Sequence, residues 1–472
     1  MRHYYTADQI RAAEAPLLAA LPDGALMRRA AGGLATAIAA ELRRRTGGVS
    51  GRVVCAVVGS GDNGGDALWA ATLLRRRGAG ACAVLLRPDH THAPALRAFR
   101  TAGGRVVTAV PEDADLVIDG VVGISGEGPL RPAAAEVFAA VDTAGIPVVA
   151  VDIPSGIDVH TGAKPGPAVR EAVTVTFGGL KPVHALADCG RVELVDIGLE
   201  LPDTGLVGLQ AADVKALWPI PGPRDDKYSQ GVVGILAGSA AYPGAAILCT
   251  GAAVAATSGM VRYAGAAAAE VVSHWPEVVA APGAAAAGRV QAWCVGPGLG
   301  TDDAGLQALT FALDSDLPVI VDADGLTLLA AHPHLITDRD APTVLTPHAG
   351  EYERFGVGPV GDDRVAAARR LAAATGATVL LKGHVTVVAD THRTFLSPAG
   401  GSWAATAGSG DVLSGVIGAL LAAGLPSGEA AAAADFVHAR AANASAADPG
   451  PASVPTSASR ILSHIRSAIA RL

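Results

Sequence analysis

Residues 407–411 read AGSGD and lead into the apolar stretch Val412 to Leu421. The first amides of a helix lack intrahelical acceptors and carry the positive end of its dipole, so Gly408, Ser409 and Gly410 can wrap an anion. Asp411 then stands where a hydroxyl could lose its proton while being phosphorylated. No lysine follows within the loop, which separates it from a Walker-type loop. The same five residues also read as an ordinary helix start, with glycine for tight packing and aspartate in the first turn. A second glycine-rich turn, GSGDNGGD at 59–66, follows the strand-like run RVVCAVV and opens the helix-like run ALWAATLLRRRG. Gly59, Gly61 and Gly64 satisfy G-x-G-x-x-G in the strand, turn and helix context of a dinucleotide fingerprint.

Further polar groups fall where strands end, the place at which ligands gather in open α/β sheets. Asn63, Asp119 (closing LVID) and Ser155 (in VDIPSGID) are hard oxygen donors that suit an alkali or alkaline-earth cation better than zinc. Asp152 is a candidate acid or base, although strand-end carboxylates also cap turns. GISGEGP at 123–129 outlines the same pocket. Lys181 could neutralise a phosphate or join in proton transfer, and a solvated loop lysine is the plainer reading. In the second half, VGPGLG at 295–300 repeats the glycine device, and His348 lies at a strand end near Glu351. VLLKGHVT offers Lys382 and a turn for phosphates or ribose. Asp322 and Asp324 read as caps for a helix starting near Gly325.

The elements that must position these groups follow from pattern and composition. The chain has 472 residues, half of them hydrophobic but only 4% aromatic, so its cores must be built from Ala, Val, Leu and Ile. That suits helices laid on parallel strands. From 53 to 197, VVCAVV, ACAVLL, LVID, PVVAVD, AVTVTF and VELVDI alternate with helical patterns and predict a parallel, doubly wound sheet. A capped helix over Thr6 to Ala20 and a second through Leu42 precede it. The Pro-, Gly- and charge-rich segment 217–231 places a boundary near 210, dividing the chain into 1–210 and 211–472. A second alternation then runs through VVGILAG, MVRYAG, AWCVGPG, PVIVDAD, PTVLTP, ATVLLKG and VTVVAD. Ile461, Leu462, Ile465, Ala468, Ile469 and Leu472 form a stripe for a docked final helix.

The net charge of −8 argues against a nucleic-acid surface. No apolar run clearly reaches the ~20 residues a membrane span needs, and the start MRHYYTADQIRAAEA has no signal-peptide core. Five scattered cysteines read as buried thiols in a reducing cytosol, so a cytoplasmic location is expected. Two readings of the motifs stay open on the residues alone. An NAD-dependent oxidoreductase would use Gly59 to Gly64, with Asp89 as the ribose-binding acid. A small-alcohol or vitamin-precursor kinase would use Asp411, with a fused non-catalytic nucleotide-binding domain.

The order of the motifs, from EAPLLAALP through DNGGD and VDIPSGID to the GSGD helix, resembles the bifunctional NAD(P)H-hydrate repair enzymes. The resemblance implies two three-layer αβα domains, an N-terminal Rossmann-like epimerase and a C-terminal ribokinase-like dehydratase. It implies epimerisation of the R and S hydrates of NADH and NADPH, and ADP-dependent dehydration of the S form. Asp62, Asn63, Gly64, Gly65 and Asp66 would bind the hydrate, completed by Gly123, Ile124, Ser125, Gly126, Glu127, Gly128, Pro129 and Asp152. Asn63, Asp119 and Ser155 would hold potassium. In the second half, Ala246, Gly298, His348 and Asp411 would contact the hydrate. Lys382, Gly383, His384, Val385, Thr386 and Gly410 would contact ADP, with Gly408 and Ser409 completing the anion turn and magnesium accompanying the nucleotide. Asp411 and Asp152 would be the catalytic acids or bases, and a homo-oligomer is expected. The loop departs from the family's NNGGDG: it reads DNGGDA, and Ile124 and Ser125 stand where many members have Thr and Gly. The extra charge of Asp62 is unfavourable beside a phosphate unless hydrogen-bonded or near a cation.

Overall fold

The computed structural model describes residues 1–124, 126 and 128–472. It divides into two compact units, His3–Thr204 and Gly205–Leu472, the second also taking in Met1–Arg2. The strands are β1 (Arg2–His3), β2 (Val53–Val58), β3 (Gly80–Leu85), β4 (Arg105–Val107), β5 (Leu116–Gly120), β6 (Val148–Val151), β7 (Val173–Phe177), β8 (Arg191–Val195) and β9 (Leu206–Gly208), followed by β10 (Val232–Leu236), β11 (Met260–Ala264), β12 (Val279–Ala281), β13 (Ala292–Val295), β14 (Val319–Val321), β15 (Thr343–Leu345), β16 (Thr378–Leu381), β17 (Val385–Ala389) and β18 (Thr394–Pro398).

In the N-terminal unit the order is β4-β3-β2-β5-β6-β7-β8, every neighbouring pair parallel. The order reverses between β2 and β5, which opens a crevice at their carboxyl ends. Gly59 lies there, its amide donating to the Gly120 carbonyl at 3.0 Å. A Cβ at Gly59 would sit 2.1 Å from the carbonyl oxygen of Val121, so only glycine lets the two strand ends approach. The first helix, Ala7–Ala20, starts at Thr6 with a reciprocal capping box to Gln9. The second runs Ala25–Thr46 and ends on Gly47 in the left-handed region.

The C-terminal unit carries the order β1-β9-β18-β17-β16-β15-β14-β13-β10-β11-β12. Strands β10 to β16 form a parallel block with β12 at its edge, and β17 pairs antiparallel with both β16 and β18. Here the reversal lies between β10 and β13. Helix Ser409–Ala422 packs against helix Pro243–Ala256, and both belong to one core of Ala, Val, Leu and Ile. A Cβ on Gly415 would come 2.1 Å from the Cys249 carbonyl oxygen, so the two backbones lie against each other. Of the residues in helix Ser409–Ala422, all but Gly410 and Asp411 are buried. The final helix, Ala458–Ala470, buries Ile461, Leu462, Ile465 and Ala468 in the same core, each larger side chain contributing roughly 1.5–3 kcal/mol.

Every strand expected from the sequence is present, but β1, β4, β9, β12 and β18 were not expected. Most are two or three residues long, and β4 and β12 lie at sheet edges with part of their surface exposed, so neither shows a buried-strand pattern. All five cysteines are buried and free. Among the described residues no helix is long and apolar enough to cross a membrane.

Adjacent glycines in helix Ala25–Thr46 test the packing. A Cβ on Gly33 would meet the Val195 side chain at 2.3 Å, whereas one on Gly32 would meet nothing within 4 Å. Gly33→Ala is expected to destabilise the N-terminal unit by about 1–3 kcal/mol, and Gly32→Ala to stabilise it by about 0.5–1 kcal/mol. Urea denaturation of the two variants checks this, and equal midpoints would contradict the packing.

Candidate active sites

The N-terminal crevice is a cleft of about 920 Å³ lined by the glycine turn, residues 121–134 in part, Asp152 and Lys181. Helix Asp62–Arg76 begins inside the turn, with Gly61 as its N-cap. Gly65 makes the first intrahelical bond, to Gly61, and among the described residues the amides of Asp62, Asn63 and Gly64 have no acceptor. They form an open helix end of the kind that can receive an anion. Asp62 stands exposed in this first turn.

Asp152 follows β6 with a φ of 69°, a conformation that costs a non-glycine residue on the order of 1–3 kcal/mol. Its Oδ1 accepts from Lys181 Nζ at 2.6 Å and from the Thr176 hydroxyl at 2.9 Å. Lys181 is not a solvated loop residue: it is 1% exposed and also donates to Thr176 Oγ1 and the Phe177 carbonyl. His184 Nδ1 accepts from the Lys181 amide, so Nε2 carries the proton and donates to the Asp152 carbonyl at 2.9 Å. Burial drives His184 down to about 4, helped by Lys181, so the ring is neutral at ordinary pH. Burial pushes the Asp152 carboxyl up, but Lys181, then His184 and Thr176, hold it below its usual value. Asp66, one turn into the helix, has the opposite surroundings. It is buried, and burial together with the charges of Asp152, Asp62 and Glu14 raises its carboxyl well above the usual range.

Asn63, Asp119 and Ser155 are brought together at the ends of β2, β5 and β6. The Ser155 hydroxyl and amide donate to the two Asp119 oxygens at 2.7 and 2.9 Å. Asn63 Nδ2 donates to the carbonyls of Val122 and Val151 at 2.9 and 2.8 Å. Burial raises fully buried Asp119 to about 6, against the opposing effect of bonds from Ser155 and Val121. The donors are one carboxylate and neutral oxygens, a set that fits a weakly charged hard cation.

In the C-terminal unit, Gly408 caps helix Ser409–Ala422 in the left-handed region at φ 82°. The amides of Gly408, Gly410 and Asp411 have no acceptor among the described residues. Ser409 departs from expectation. Its amide donates to the Thr406 carbonyl at 3.2 Å and its hydroxyl meets His438 Nε2 at 2.9 Å, so it holds the turn in place instead of facing an anion. Burial raises Asp411 to about 7, with Asp322 and Asp324 adding to the rise and Lys382 opposing it.

The expected capping role of Asp322 is overturned. Helix Asp324–Ala331 has Ala323 as N-cap, at φ 51°, and no side-chain cap bond. Asp322, 1% exposed, instead pairs with Lys382 Nζ through Oδ1 and accepts from the Ser414 hydroxyl through Oδ2 at 2.7 Å. The positive φ of Ala323 turns the chain so that the carboxylate points along the strand end. Asp324 accepts from the Gly300 amide at 2.9 Å and so ties down the VGPGLG turn.

The remaining expected residues fall as follows. Gly298, with φ 59°, packs on Ala245 and Tyr242, and Gly238 packs on Ala246. Ala246 and Gly298 thus meet at the reversal between β10 and β13. His348 caps helix Ala349–Glu353, its Nδ1 accepting from the Gly350 and Glu351 amides, while its outer ring edge stays exposed. Lys382 lies beside Gly410: a Cβ there would be 3.4 Å from its ammonium. Gly383 and His384 are exposed at the β16–β17 turn, whereas Val385 and Thr386 are buried in β17. Gly123, Ile124, Gly126, Gly128 and Pro129 line the N-terminal cleft; Ser125 and Glu127 lie outside the described residues. Sequence reasoning did not single out Glu14, Ser414 or His438. Glu14 lies far from the glycine turn in sequence, Ser414 falls on the buried face of the helix that the GSGD turn opens, and His438 sits inside an Ala-rich helix with no motif around it.

Comparison with known proteins gives matches over both units. A family model described as YjeF-related protein N-terminus matches residues 23–183, and one described as NAD(P)H-hydrate dehydratase matches 233–464. The bifunctional NAD(P)H-hydrate repair enzyme Nnr of Mycobacterium tuberculosis (strain H37Rv) is 75% identical, covering 100% of both chains. Its namesake from Mycobacterium leprae is 72% identical over the same full coverage. That of Corynebacterium glutamicum is 38% identical, covering 89% of this chain and 87% of its own. Among solved structures, a ribokinase-like superfamily protein from Enterococcus faecalis aligns with a TM-score of 0.51 at 23% identity, covering 58% of this chain and 98% of its own. That likeness identifies the C-terminal fold.

The charges around Asp411 predict its titration. In the free protein its carboxyl should titrate near pH 7. Asp322→Asn removes a charge that raises it and should move the midpoint down; Lys382→Met removes one that lowers it and should move the midpoint up. Infrared difference spectra of the protonated carboxyl, assigned with Asp411→Asn, measure this. A midpoint unmoved in both variants would contradict the arrangement.

Proposed function

The chain belongs to the bifunctional NAD(P)H-hydrate repair enzymes, and from that premise we propose that its two units carry separate steps on one damaged cofactor. The N-terminal unit interconverts the R and S hydrates of NADH and NADPH. The C-terminal unit dehydrates the S form at the expense of ADP. The observation that carries this reading is the mouth of helix Ser409–Ala422, where Asp411, raised to about 7, stands among open amides and next to Lys382.

The chemistry follows from what a hydrate needs. Water added at ring carbon 6 leaves a hydroxyl, a poor leaving group that phosphorylation turns into a good one. Asp411 takes the hydroxyl proton as the phosphoryl group moves, and the amides of Gly408, Gly410 and Asp411 meet the charge spreading over its oxygens. Lys382, fixed by Asp322, and the turn at Gly383 and His384 would hold the donor nucleotide's phosphates. Ala246, Gly298 and the exposed edge of His348 would form the wall against the hydrate. Departure of phosphate restores the dihydropyridine. Magnesium, when bound with the nucleotide, would neutralise its phosphate charge. Among the described residues no cluster of three or more His, Cys, Asp or Glu is arranged to hold a metal.

In the N-terminal unit the open amides of Asp62 to Gly64 would receive a phosphate of the hydrate, with Gly123, Ile124, Gly126, Gly128 and Pro129 as the facing wall. Asp152 is the base or acid at ring carbon 6. Potassium would be held by Asn63, Asp119 and Ser155, where it would neutralise Asp119 and fix the ends of β2, β5 and β6. We place the enzyme in the cytoplasm, a reducing compartment that its five free thiols suit.

Incubating the protein with mixed hydrate epimers, ADP and magnesium, and following absorbance of the reduced cofactor, tests both halves. The wild type should recover both epimers. Asp411→Asn should slow dehydration by about 10²–10⁴-fold while epimers still interconvert; undiminished dehydration in that variant would sink the reading. Asp152→Asn should leave recovery stalled once the S form is consumed. Because the base must be ionised, kcat/KM for dehydration should fall as pH drops below about 7. A profile flat from pH 8 to about 5 would remove Asp411 as the base.

A further inference from the structure

The N-terminal cleft holds two buried carboxyl groups of opposite character, and only one has a counter-charge. Asp152 is paired with Lys181 at 2.6 Å. Asp66 is 8% exposed, lines the cleft, and its Oδ1 is buried with no hydrogen-bond partner among the described residues. A carboxylate cannot be kept in such a place cheaply, since neither a donor nor a cation replaces lost water; the group resides there as the acid. Its neighbours reinforce this. Glu14 on helix Ala7–Ala20, Asp62 on its own helix and Asp152 after β6 are acidic. His92 faces the same turn from the start of helix Ala93–Thr101, and Arg11, Arg87, Arg131 and Lys181 lie on the cleft wall.

We propose that Asp66 is the proton donor of the epimerase half, delivering its proton to the hydroxyl oxygen on ring carbon 6 of the bound hydrate. This rests on the epimerase reading given above. The hydrated carbon bears both a hydroxyl and the ring nitrogen. When Asp66 protonates the hydroxyl, the carbon–oxygen bond breaks with its electron pair going to oxygen, water leaves, and the nitrogen lone pair forms a carbon–nitrogen double bond. The ring carbon is now flat and has lost its handedness. Water adds to the opposite face, ionised Asp152 takes the surplus proton, and that proton returns to Asp66 through solvent. No electrons are gained or lost overall, and one water leaves as one enters. The geometry divides the labour: an unpaired acid on the helix, and a lysine-held base across the cleft.

The test uses the full chain and follows interconversion of purified epimers without ADP, in water enriched in oxygen-18. In the wild type each inversion should place one heavy oxygen on ring carbon 6, and the rate should fall as pH rises and Asp66 loses its proton. Asp66→Asn keeps the shape but cannot give up a proton. It should slow both inversion and label exchange by at least about 100-fold. Asp66→Glu should keep a rate within about tenfold of wild type and retain the fall at high pH. Inversion by Asp66→Asn at near wild-type rate would overturn the proposal. So would equal losses in both variants with the pH profile unmoved, which would mark Asp66 as structural. Inversion without label would also overturn it. If the wild type itself leaves the epimers unconverted, the epimerase reading fails first, and this arm of the experiment shows that separately.

Discussion

Each unit depends on one lysine, fully buried in the first and partly exposed in the second, holding one aspartate at the end of a parallel strand. Lys181 pairs with Asp152 after β6, and Lys382 pairs with Asp322 after β14. Both carboxylates are nearly inaccessible to solvent, and a buried charge without its partner is strongly destabilising. Burial, followed by the charge of that lysine-held acid, raises the second acid of each site: Asp66 in one unit and Asp411 in the other. Both of these stand in the opening turns of a helix that begins at a glycine loop. Two unrelated sheets thus arrive at the same electrostatic scheme, a fixed anion beside a proton-bearing neighbour, under a helix mouth with free amides.

Backbone strain marks the same places. Among the described residues the only non-glycine residues with positive φ are Asp152 and Ala323, which adjoin the two lysine pairs. Strain of this kind persists where the surroundings over-determine it, and here it aims a carboxylate along a strand end. The glycines serve a different need. Gly59 and Gly415 have no room for even a methyl group, so strand ends in one unit and helix backbones in the other can touch. Packing that close leaves helix Ser409–Ala422 no freedom to shift, and its mouth inherits that rigidity.

Much of this was legible in the chain. Asp411, Asp152 and the glycine turns announce themselves because the device that binds an anion is local: glycine, then a helix start, then an acid. Asp322 did not, because the string DAD before a helix reads as a cap, and only the partner 60 positions away shows otherwise. Lys181 was read as solvated for the same reason. Ser409 was expected to offer its amide, yet a serine inside a glycine loop gives no sign that His438, buried in an Ala-rich helix, will claim its hydroxyl. The long parallel strands were plain from runs of Val and Ile. The short ones, such as β4 and β9, carry too few residues for any pattern and exist because a neighbouring strand supplies their hydrogen bonds. What sequence conveys poorly is pairing at a distance, and in these sites pairing at a distance sets the charge.

One edge of the C-terminal sheet is made from residues that lie far apart in the chain. At that edge β1, at Arg2–His3, lies next to β9, at Leu206–Gly208, and the Met1 ammonium donates to Asp213 at 2.9 Å. Residues 2 and 3 can therefore pair only once residues 206–208 are in place. A split of the gene just after residue 208 would leave the released C-terminal piece with a raw edge along β18, open to pairing with another molecule.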